Sequence, residues 1–277
     1  MRTLQAERAA YARFIVESAG VADARLIAAF AATERERFLG ARPWAIWDGS
    51  ASPPTLTDDA RQLYQDVLVS LAAERGINNG QPSLHARCLV ACAPAAGETV
   101  LHLGAGTGYY SAVLAALVGP TGQVLAYEIE ADLAARARHN LRQLANVSVI
   151  TASATAGALP TADLIYVNAG ATHPPAFWLD ALKVGGRLIF PLTPDEGYGA
   201  MLLVTRRATS SYAASFLMRV AFVPCVGARD ETAAQSLTRA FAAMPLPALK
   251  SLRRDNQPDD SAWCVGAGWW LSTRSPA

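Results

Sequence analysis

The sequence predicts an α/β fold: a doubly wound, mostly parallel sheet, with a helical cap before it and antiparallel strands after it. Three observations support this prediction. Apolar residues recur at helical spacing through residues 1–95. From residue 97, short apolar runs alternate with helical segments through short links. After residue 200, strand-like segments surround a single helical one.

The N-terminal part is expected to be helical in four places. These helices are predicted at 4–18, 22–34, 58–75 and 83–92, with loops at 40–59 and 75–82. Thr57 or Asp58 is the expected N-cap of the third helix, because both residue types accept hydrogen bonds from the first helical N–H groups.

The central part alternates strands with helices, as parallel strands joined by helical crossovers require. Strands are expected at 97–103, 123–130, 147–153, 162–170 and 183–192, and helices at 111–119, 131–144 and about 174–182. The last part should contain strands at 200–208, 215–226 and 262–274, with a helix at 231–243.

Composition excludes several classes of function. The 277 residues carry a net charge of +1, so no basic surface is expected to attract nucleic acid or an anionic membrane. No run of about 18 apolar residues predicts a membrane span, and the N-terminus does not resemble a signal peptide. Four cysteines in a chain of this length favour a reducing, cytoplasmic setting. The oligomeric state stays open.

The sequence GAGTGY (104–109) follows the first core strand and opens the next helix. A dinucleotide fingerprint needs glycine at its sixth position, where this chain has Tyr109. A P-loop is excluded because no Gly-Lys-Ser/Thr follows. What remains is a turn whose backbone a ligand can approach closely.

Glu128 ends the second core strand, twenty residues after Gly108. A carboxylate at this place can accept hydrogen bonds from both hydroxyls of a ribose. A glycine turn without a pyrophosphate clamp, together with this acid, predicts a site for S-adenosylmethionine. A metal site is not expected, because His85, Cys88 and Cys92 share one helical face without a fourth ligand at zinc-site spacing.

Ordered motifs from about Glu36 to about Gly227 resemble the protein-L-isoaspartate O-methyltransferase family of class I methyltransferases. ERFLG (36–40) is similar to the family's "R..FV" segment, and NGQPSLHA (79–86) to its "SQP..HA" substrate segment. ETVLHLGAGTGYYSAVLA (98–115) matches the cofactor turn, and ADLIYVNAGATHPP (162–175) resembles "FDAIIVTAAAPHIP". The segments that follow in the family resemble LKVGGRLIFPL (182–192), LLVTR (202–206) and VAFVPCVG (220–227).

The resemblance implies a Rossmann-like class I methyltransferase fold and methyl transfer from S-adenosylmethionine to a carboxylate. A carboxylate has a pKa of about 4, so it needs no strong base to become a nucleophile. The changes of pattern along the sequence predict three regions: a cap and substrate-side segment at 1–95, a cofactor-binding core at 96–228 and an extension packed on it at 229–277. The acceptor side would hold Asn79, Gly80, His85 and Asn168. The cofactor side would hold Gln81, His102, Gly104, Ala105, Gly106, Gly108, Tyr109, Glu128, Ile129, Ser153, Ala154 and again Asn168.

Three residues depart from the family pattern. Gly80 replaces a serine, for which Asn78, Asn79 or Ser83 could compensate. His102 replaces an acid that helps to hold the cofactor's ammonium, and Ser153 replaces the Asp of an acidic turn.

These departures favour a divergent enzyme that methylates a carboxylate on another acceptor, either a small molecule or a peptide. Two alternatives stay open. One is a genuine isoaspartyl repair enzyme, and the other is a non-catalytic module that keeps the cofactor site.

Overall fold

The computed structural model describes residues 3–49, 53–243 and 245–276. Within these ranges the α-helices are α1 (Leu4–Glu17), α2 (Ala24–Ala32), α3 (Pro82–Cys92), α4 (Tyr109–Val118), α5 (Ala131–Leu141), α6 (Ala176–Ala181) and α7 (Glu231–Ala242). The first seven strands are β1 (Trp44–Trp47), β2 (Thr55–Thr57), β3 (Leu68–Ala72), β4 (Ile77–Asn78), β5 (Thr99–Leu103), β6 (Gln123–Glu128) and β7 (Val147–Thr151). The remaining strands are β8 (Ala162–Val167), β9 (Leu182–Leu192), β10 (Gly199–Ala208), β11 (Ser211–Val220), β12 (Ser251–Arg253), β13 (Ala262–Gly266) and β14 (Trp269–Ser272).

The chain divides into two compact units, which are described separately. The first comprises Met1–Glu98 and Ala105–Thr151, and the second comprises Thr99–Gly104 and Ala152–Ala277. In the part of the chain that the structure describes, no helix combines the length and the apolar character needed to cross a bilayer.

The first unit contains a small antiparallel sheet and a parallel strand pair. The small sheet has the strand order β2-β1-β3-β4. Strands β6 and β7 run parallel, with Val124 opposite Val147 and Glu128 opposite Thr151. Nearly every residue of α4 is buried, as expected of a helix that is apolar on all sides. Two of the three helices predicted for the central part are α4 and α5, and the third, expected at about 174–182, is α6 of the second unit.

The predicted helix over residues 58–75 is wrong, and so is the purely loop assignment of 40–59, of which residues 50–52 lie outside the described residues. Residues 60–63 form one 3-10 turn, capped by Asp59 rather than Thr57 or Asp58, and residues 68–72 form β3. Strand β3 pairs with β1, Val69 lying opposite Ile46. Tertiary pairing and burial therefore override a local spacing that suits a helix.

A buried arginine explains why the segment before β3 is irregular. The Arg35 guanidinium donates hydrogen bonds to the carbonyl oxygens of Leu63, Gln65 and Val67. Those carbonyls are therefore satisfied by a side chain instead of by helical N–H groups. Leu63 and Val67 in turn pack in a cluster with Trp44.

The second unit is an eight-stranded mixed sheet in the described residues, ordered β13-β14-β12-β11-β10-β9-β8-β5. Strands β5, β8 and β9 are parallel, and β8 is almost wholly buried, as parallel strands usually are. From β9 to β13 every neighbouring pair is antiparallel. The structure therefore has the predicted α/β fold class with antiparallel C-terminal strands. The strand expected at 262–274 is a hairpin, because Gly268 turns the chain at φ +74°, and β12 was not predicted.

Candidate functional site

The glycine turn joins the end of β5 to the start of α4. Gly104, Gly106 and Gly108 have φ angles of +77°, +56° and +94°, which residues with a side chain adopt only at a cost. Gly108 has a second constraint, because a Cβ there would lie 2.6 Å from Cδ1 of Leu141. The turn therefore requires glycine, and without side chains its backbone can be approached closely by a ligand.

Glu128 holds this turn against the end of β6. One carboxylate oxygen, Oε2, accepts the N–H of Gly106 at 2.6 Å, and Oε1 accepts the N–H of Glu130 at 2.9 Å. The N–H of Ala105 donates to the carbonyl oxygen of Tyr127 at 2.9 Å. The acid predicted to bind ribose thus lies directly beside the turn predicted to face the cofactor.

Glu128 is 6% exposed. Burial raises its pKa above the ordinary value, while N–H bonds from Glu130, Gly106 and Ile129 oppose the rise. A buried carboxylate that keeps N–H donors on both oxygens still has lone pairs for two hydroxyl donors. These residues therefore fit the ribose of S-adenosylmethionine. The side chain of Ile129 is 43% exposed at the same strand end.

His102 and Asn168 form a neutral pair in the second unit. The imidazole of His102 is completely buried, which lowers its pKa to about 3. Its Nε2 lies 2.8 Å from Nδ2 of Asn168. Because an amide nitrogen only donates, Nε2 is the acceptor and the ring proton is on Nδ1. Asn168 also packs against Gly104, whose Cβ position lies 3.6 Å from the Asn168 carbonyl carbon.

The segment after β7 is ordered by its own hydroxyl groups. Ser153 Oγ lies 2.7 Å from Thr155 Oγ1, and the Thr155 N–H donates to Ser153 Oγ. The carbonyl oxygen of Ala154 accepts the indole N–H of the buried Trp178 at 2.9 Å. Ser153 and Ala154 therefore stay half-buried without an acidic side chain.

The side chain of Tyr109 is buried among aromatic residues of the first unit. Its ring is 2% exposed, packs edge-on to Phe38 at 5.6 Å, and places its hydroxyl 3.5 Å from that of Tyr11. Burial raises the pKa of the Tyr109 phenol well above its ordinary value. The ring of Tyr109 therefore contributes to the packing of the first unit, and its backbone begins α4.

Asn79 begins the segment predicted to face the acceptor, and its side chain turns inward. Its Oδ1 accepts the N–H of Val69 at 2.9 Å and an Arg35 N–H at 3.4 Å. Asn79 is 7% exposed, and its Nδ2 has no hydrogen-bond partner among the described residues. Asn79 therefore anchors this segment to β3.

Gly80 has no space for a side chain. Its φ is +74°, and a Cβ there would lie 2.3 Å from Nε2 of His85. The His85 ring stacks on Tyr110 with centroids 3.7 Å apart, and the Tyr110 hydroxyl is 3.5 Å from the Gly80 carbonyl oxygen. The ring of His85 therefore fills the place in which a serine at position 80 would begin.

Asp66 secures the other side of this segment. Its carboxylate accepts from Gln81 Nε2 at 2.9 Å, and from the N–H and Oγ of Ser83 at 2.8 and 2.6 Å. The side chain of Gln81 is thus engaged with Asp66 at the N-terminus of α3.

Sequence reasoning missed Arg35, Asp66 and Tyr110. Arg35 lies in ERERF (34–38), beside the motif that carried the resemblance, but Asp66 gives no local signal because its partners are fifteen or more residues away. Among the described residues, no group of three or more His, Cys, Asp or Glu side chains could hold a metal ion.

Comparison with known proteins gives one family. The model of the protein-L-isoaspartate(D-aspartate) O-methyltransferase family matches residues 54–230. A protein-L-isoaspartate O-methyltransferase of Rhodopseudomonas palustris is 32% identical over 217 residues, which cover 77% of this chain and 90% of that protein. One of Ignicoccus hospitalis is 35% identical over 167 residues, covering 59% of this chain and 78% of that protein.

Solved structures support the same fold. A protein-L-isoaspartate O-methyltransferase structure superposes with a TM-score of 0.67 at 19% identity, covering 95% of this chain and 87% of that chain. A second structure, described as a putative enzyme of this kind from Plasmodium falciparum in complex with S-adenosyl-L-homocysteine, gives a TM-score of 0.64 at 18% identity, covering 79% of this chain and 98% of that chain. At these identities the likeness concerns the fold.

Proposed function

Because the chain belongs to the protein-L-isoaspartate(D-aspartate) O-methyltransferase family and is an enzyme that uses S-adenosylmethionine, we propose that it methylates isoaspartyl residues of peptides and proteins. An isoaspartyl residue continues the main chain through its side-chain carbonyl, so its α-carboxylate is free to accept the methyl group. The observation that carries the proposal is the family match over residues 54–230, which includes both the glycine turn bonded to Glu128 and residues 78–81.

When bound, S-adenosylmethionine supplies an electrophilic methyl group on a positively charged sulfur. The acceptor carboxylate is ionised at neutral pH, so the protein's task is to align it and to keep water away. Glu128 would accept hydrogen bonds from the ribose hydroxyls, and the backbone of the turn, where the glycines have no side chains, would face the ligand. The amide nitrogen of Asn168 is bonded to the neutral His102, so its carboxamide oxygen would be available to accept a hydrogen bond.

The departures from the family pattern are the reason to consider another acceptor. At two of these positions the segment remains ordered, because His85 fills the space beside Gly80 and Ser153 bonds to Thr155. The relatives over most of the chain are named for the isoaspartyl reaction. We therefore place the isoaspartyl acceptor first, and small acids or other peptides become the comparison in the assay.

Two further proposals concern setting and organisation. All four cysteines are buried thiols, which supports a reducing, cytoplasmic compartment. We keep the division into a cap at 1–95, a cofactor core at 96–228 and an extension at 229–277 as a proposal about roles. It differs from the division into compact units, because residues 99–104 belong to the second unit and residues 105–151 to the first.

The test is methyl transfer from S-adenosylmethionine to a synthetic isoaspartyl peptide. The comparisons are the same peptide with ordinary aspartate, and a panel of small dicarboxylic acids. We expect a base-labile methyl ester on the isoaspartyl peptide and none on the aspartyl peptide. Methylation of small acids with no reaction on the isoaspartyl peptide would refute the proposal. Binding of S-adenosylhomocysteine, measured in parallel, separates a wrong acceptor from a protein without the cofactor site.

A further inference from the structure

The segment that precedes α3 lacks a hydroxyl at Gly80, and three neighbouring side chains could supply a hydrogen-bond donor in its place. Ser83 is engaged, because its Oγ donates to Asp66 at 2.6 Å. Asn79 faces inward, with its oxygen bonded to the Val69 N–H and its nitrogen buried. Asn78 differs from both because it is exposed to solvent.

The carboxamide of Asn78 is held in one orientation. Its Oδ1 accepts the N–H of Gly80 at 2.9 Å, which is an Asx turn. This bond fixes the oxygen toward the backbone, so the Nδ2 amino group with its two N–H donors lies on the opposite side of the carboxamide. Asn78 thus presents an oriented, exposed donor at the position next to the missing hydroxyl.

Contacts within the first unit connect the strand that carries Asn78, and the neighbouring Gly80, to the cofactor turn and α4. Strand β4 pairs with β3, with Asn78 opposite Ser70. The next residue of β3, Leu71, has its Cδ1 3.5 Å from the Cβ position of Gly106. In addition, the Tyr110 hydroxyl near the start of α4 reaches the carbonyl oxygen of Gly80 at 3.5 Å.

We propose that Nδ2 of Asn78 donates a hydrogen bond to the acceptor carboxylate and thereby selects acceptors that carry one. This inference rests on the proposed function, because it assigns a residue to the acceptor of that reaction. An amide N–H on a carboxylate forms a charge-assisted bond, which is stronger than a bond between neutral groups. Gly80 itself cannot take this role, since its Cβ position is filled by His85.

The decisive variant is Asn78→Asp. Aspartate is nearly isosteric and keeps an oxygen for the Gly80 N–H, so the turn is retained. It replaces the donor with a negative charge, which repels a carboxylate. Asn78→Ala removes both the turn and the donor. Asn256→Asp is the matched control: Asn256 is also exposed, and its Oδ1 accepts the N–H of Gly268 at 2.9 Å.

Binding is measured calorimetrically in the presence of S-adenosylhomocysteine. The probes are an isoaspartyl peptide and the same peptide with the α-carboxylate of that residue converted to a carboxamide. We expect Asn78→Asp to weaken binding of the carboxylate peptide by about 10- to 100-fold. The affinity for the carboxamide peptide should stay near that of the wild type. Melting temperature and affinity for S-adenosylhomocysteine should stay near wild type, and Asn256→Asp should behave as wild type throughout.

In turnover, the same change should appear as a higher KM for the isoaspartyl peptide, with a smaller effect on kcat. Equal losses for both peptides, or no loss for the carboxylate peptide, would overturn the role of Asn78. Binding of the wild type without methyl transfer would refute the proposed reaction alone, and the peptide comparison would still decide for or against Asn78. A wild type that binds neither peptide would overturn both proposals.

Discussion

Acid pH is expected to destabilise the fold through one buried side chain, His102. Burial lowers its pKa from 6.5 to about 3, whereas unfolding exposes the ring to water. Below pH 6.5 the unfolded chain therefore binds a proton that the folded chain does not bind. This difference leaves the free energy of unfolding unchanged above pH 6.5 and lowers it progressively as the pH falls from 6.5 toward 3. At pH 5 the loss amounts to about 2 kcal/mol, since one pH unit corresponds to about 1.4 kcal/mol.

The measurement is urea unfolding of the wild type and of His102→Gln at pH 7.5 and pH 5. Glutamine keeps a neutral amide in the buried site, so the variant should lose about 2 kcal/mol less than wild type between the two pH values. The pKa of His173 is also lowered by burial, but this residue is present in both chains and cancels in the difference. His139→Gln makes the same replacement at an exposed position and is the control for the substitution itself. Equal pH dependence in the wild type and His102→Gln would refute the reasoning.

Three further changes test the site and its support. Glu128→Gln turns one acceptor oxygen into a donor that faces an N–H group, so calorimetry should find the Kd for S-adenosylhomocysteine raised by about 10- to 100-fold; an unchanged Kd would place the ribose elsewhere. Gly108→Ala should lower the free energy of unfolding by about 2–4 kcal/mol through its positive φ and its contact with Leu141. Gly76→Ala, at φ +66° with nothing within 4 Å of its Cβ position, should lose only about 1–2 kcal/mol, and equal losses would show that the contact is harmless. Arg35→Met leaves three carbonyls without their donor and should cost about 3 kcal/mol or more in urea unfolding; a loss below about 1 kcal/mol would show that water replaces the guanidinium.

Local pattern was sufficient for the elements around the cofactor turn. Strand β6 and helix α5 carry their burial pattern in consecutive residues, and α5 was expected at 131–144 and ends at Leu141. The turn could also be predicted from the sequence, because backbone with positive φ favours glycine. Glu128 could be predicted because it stands at the end of a recognisable strand. Both signals lie in the few consecutive residues that form the turn and the strand end.

Distant partners were decisive where prediction failed. The helical spacing of 58–75 is real, but β3 is stabilised by pairing with β1, and its approach is shaped by Arg35, which bonds to Leu63, Gln65 and Val67. Asp66 likewise organises Gln81 and Ser83 from a distance in sequence. Asn79 faces inward because its Oδ1 accepts the N–H of Val69 on β3, whereas Asn78 is exposed, so no pattern in NNGQ could separate the two amides.

The bond from Glu128 to the Gly106 N–H has a consequence for the kinetics of ligand capture. Because both partners of this bond belong to the protein, we expect the loop to keep its shape whether or not a nucleoside is bound, so that association requires no slow rearrangement of the loop. Association should then follow a single exponential whose rate rises linearly with concentration. Differences among cofactor analogues should appear mainly as differences in residence time.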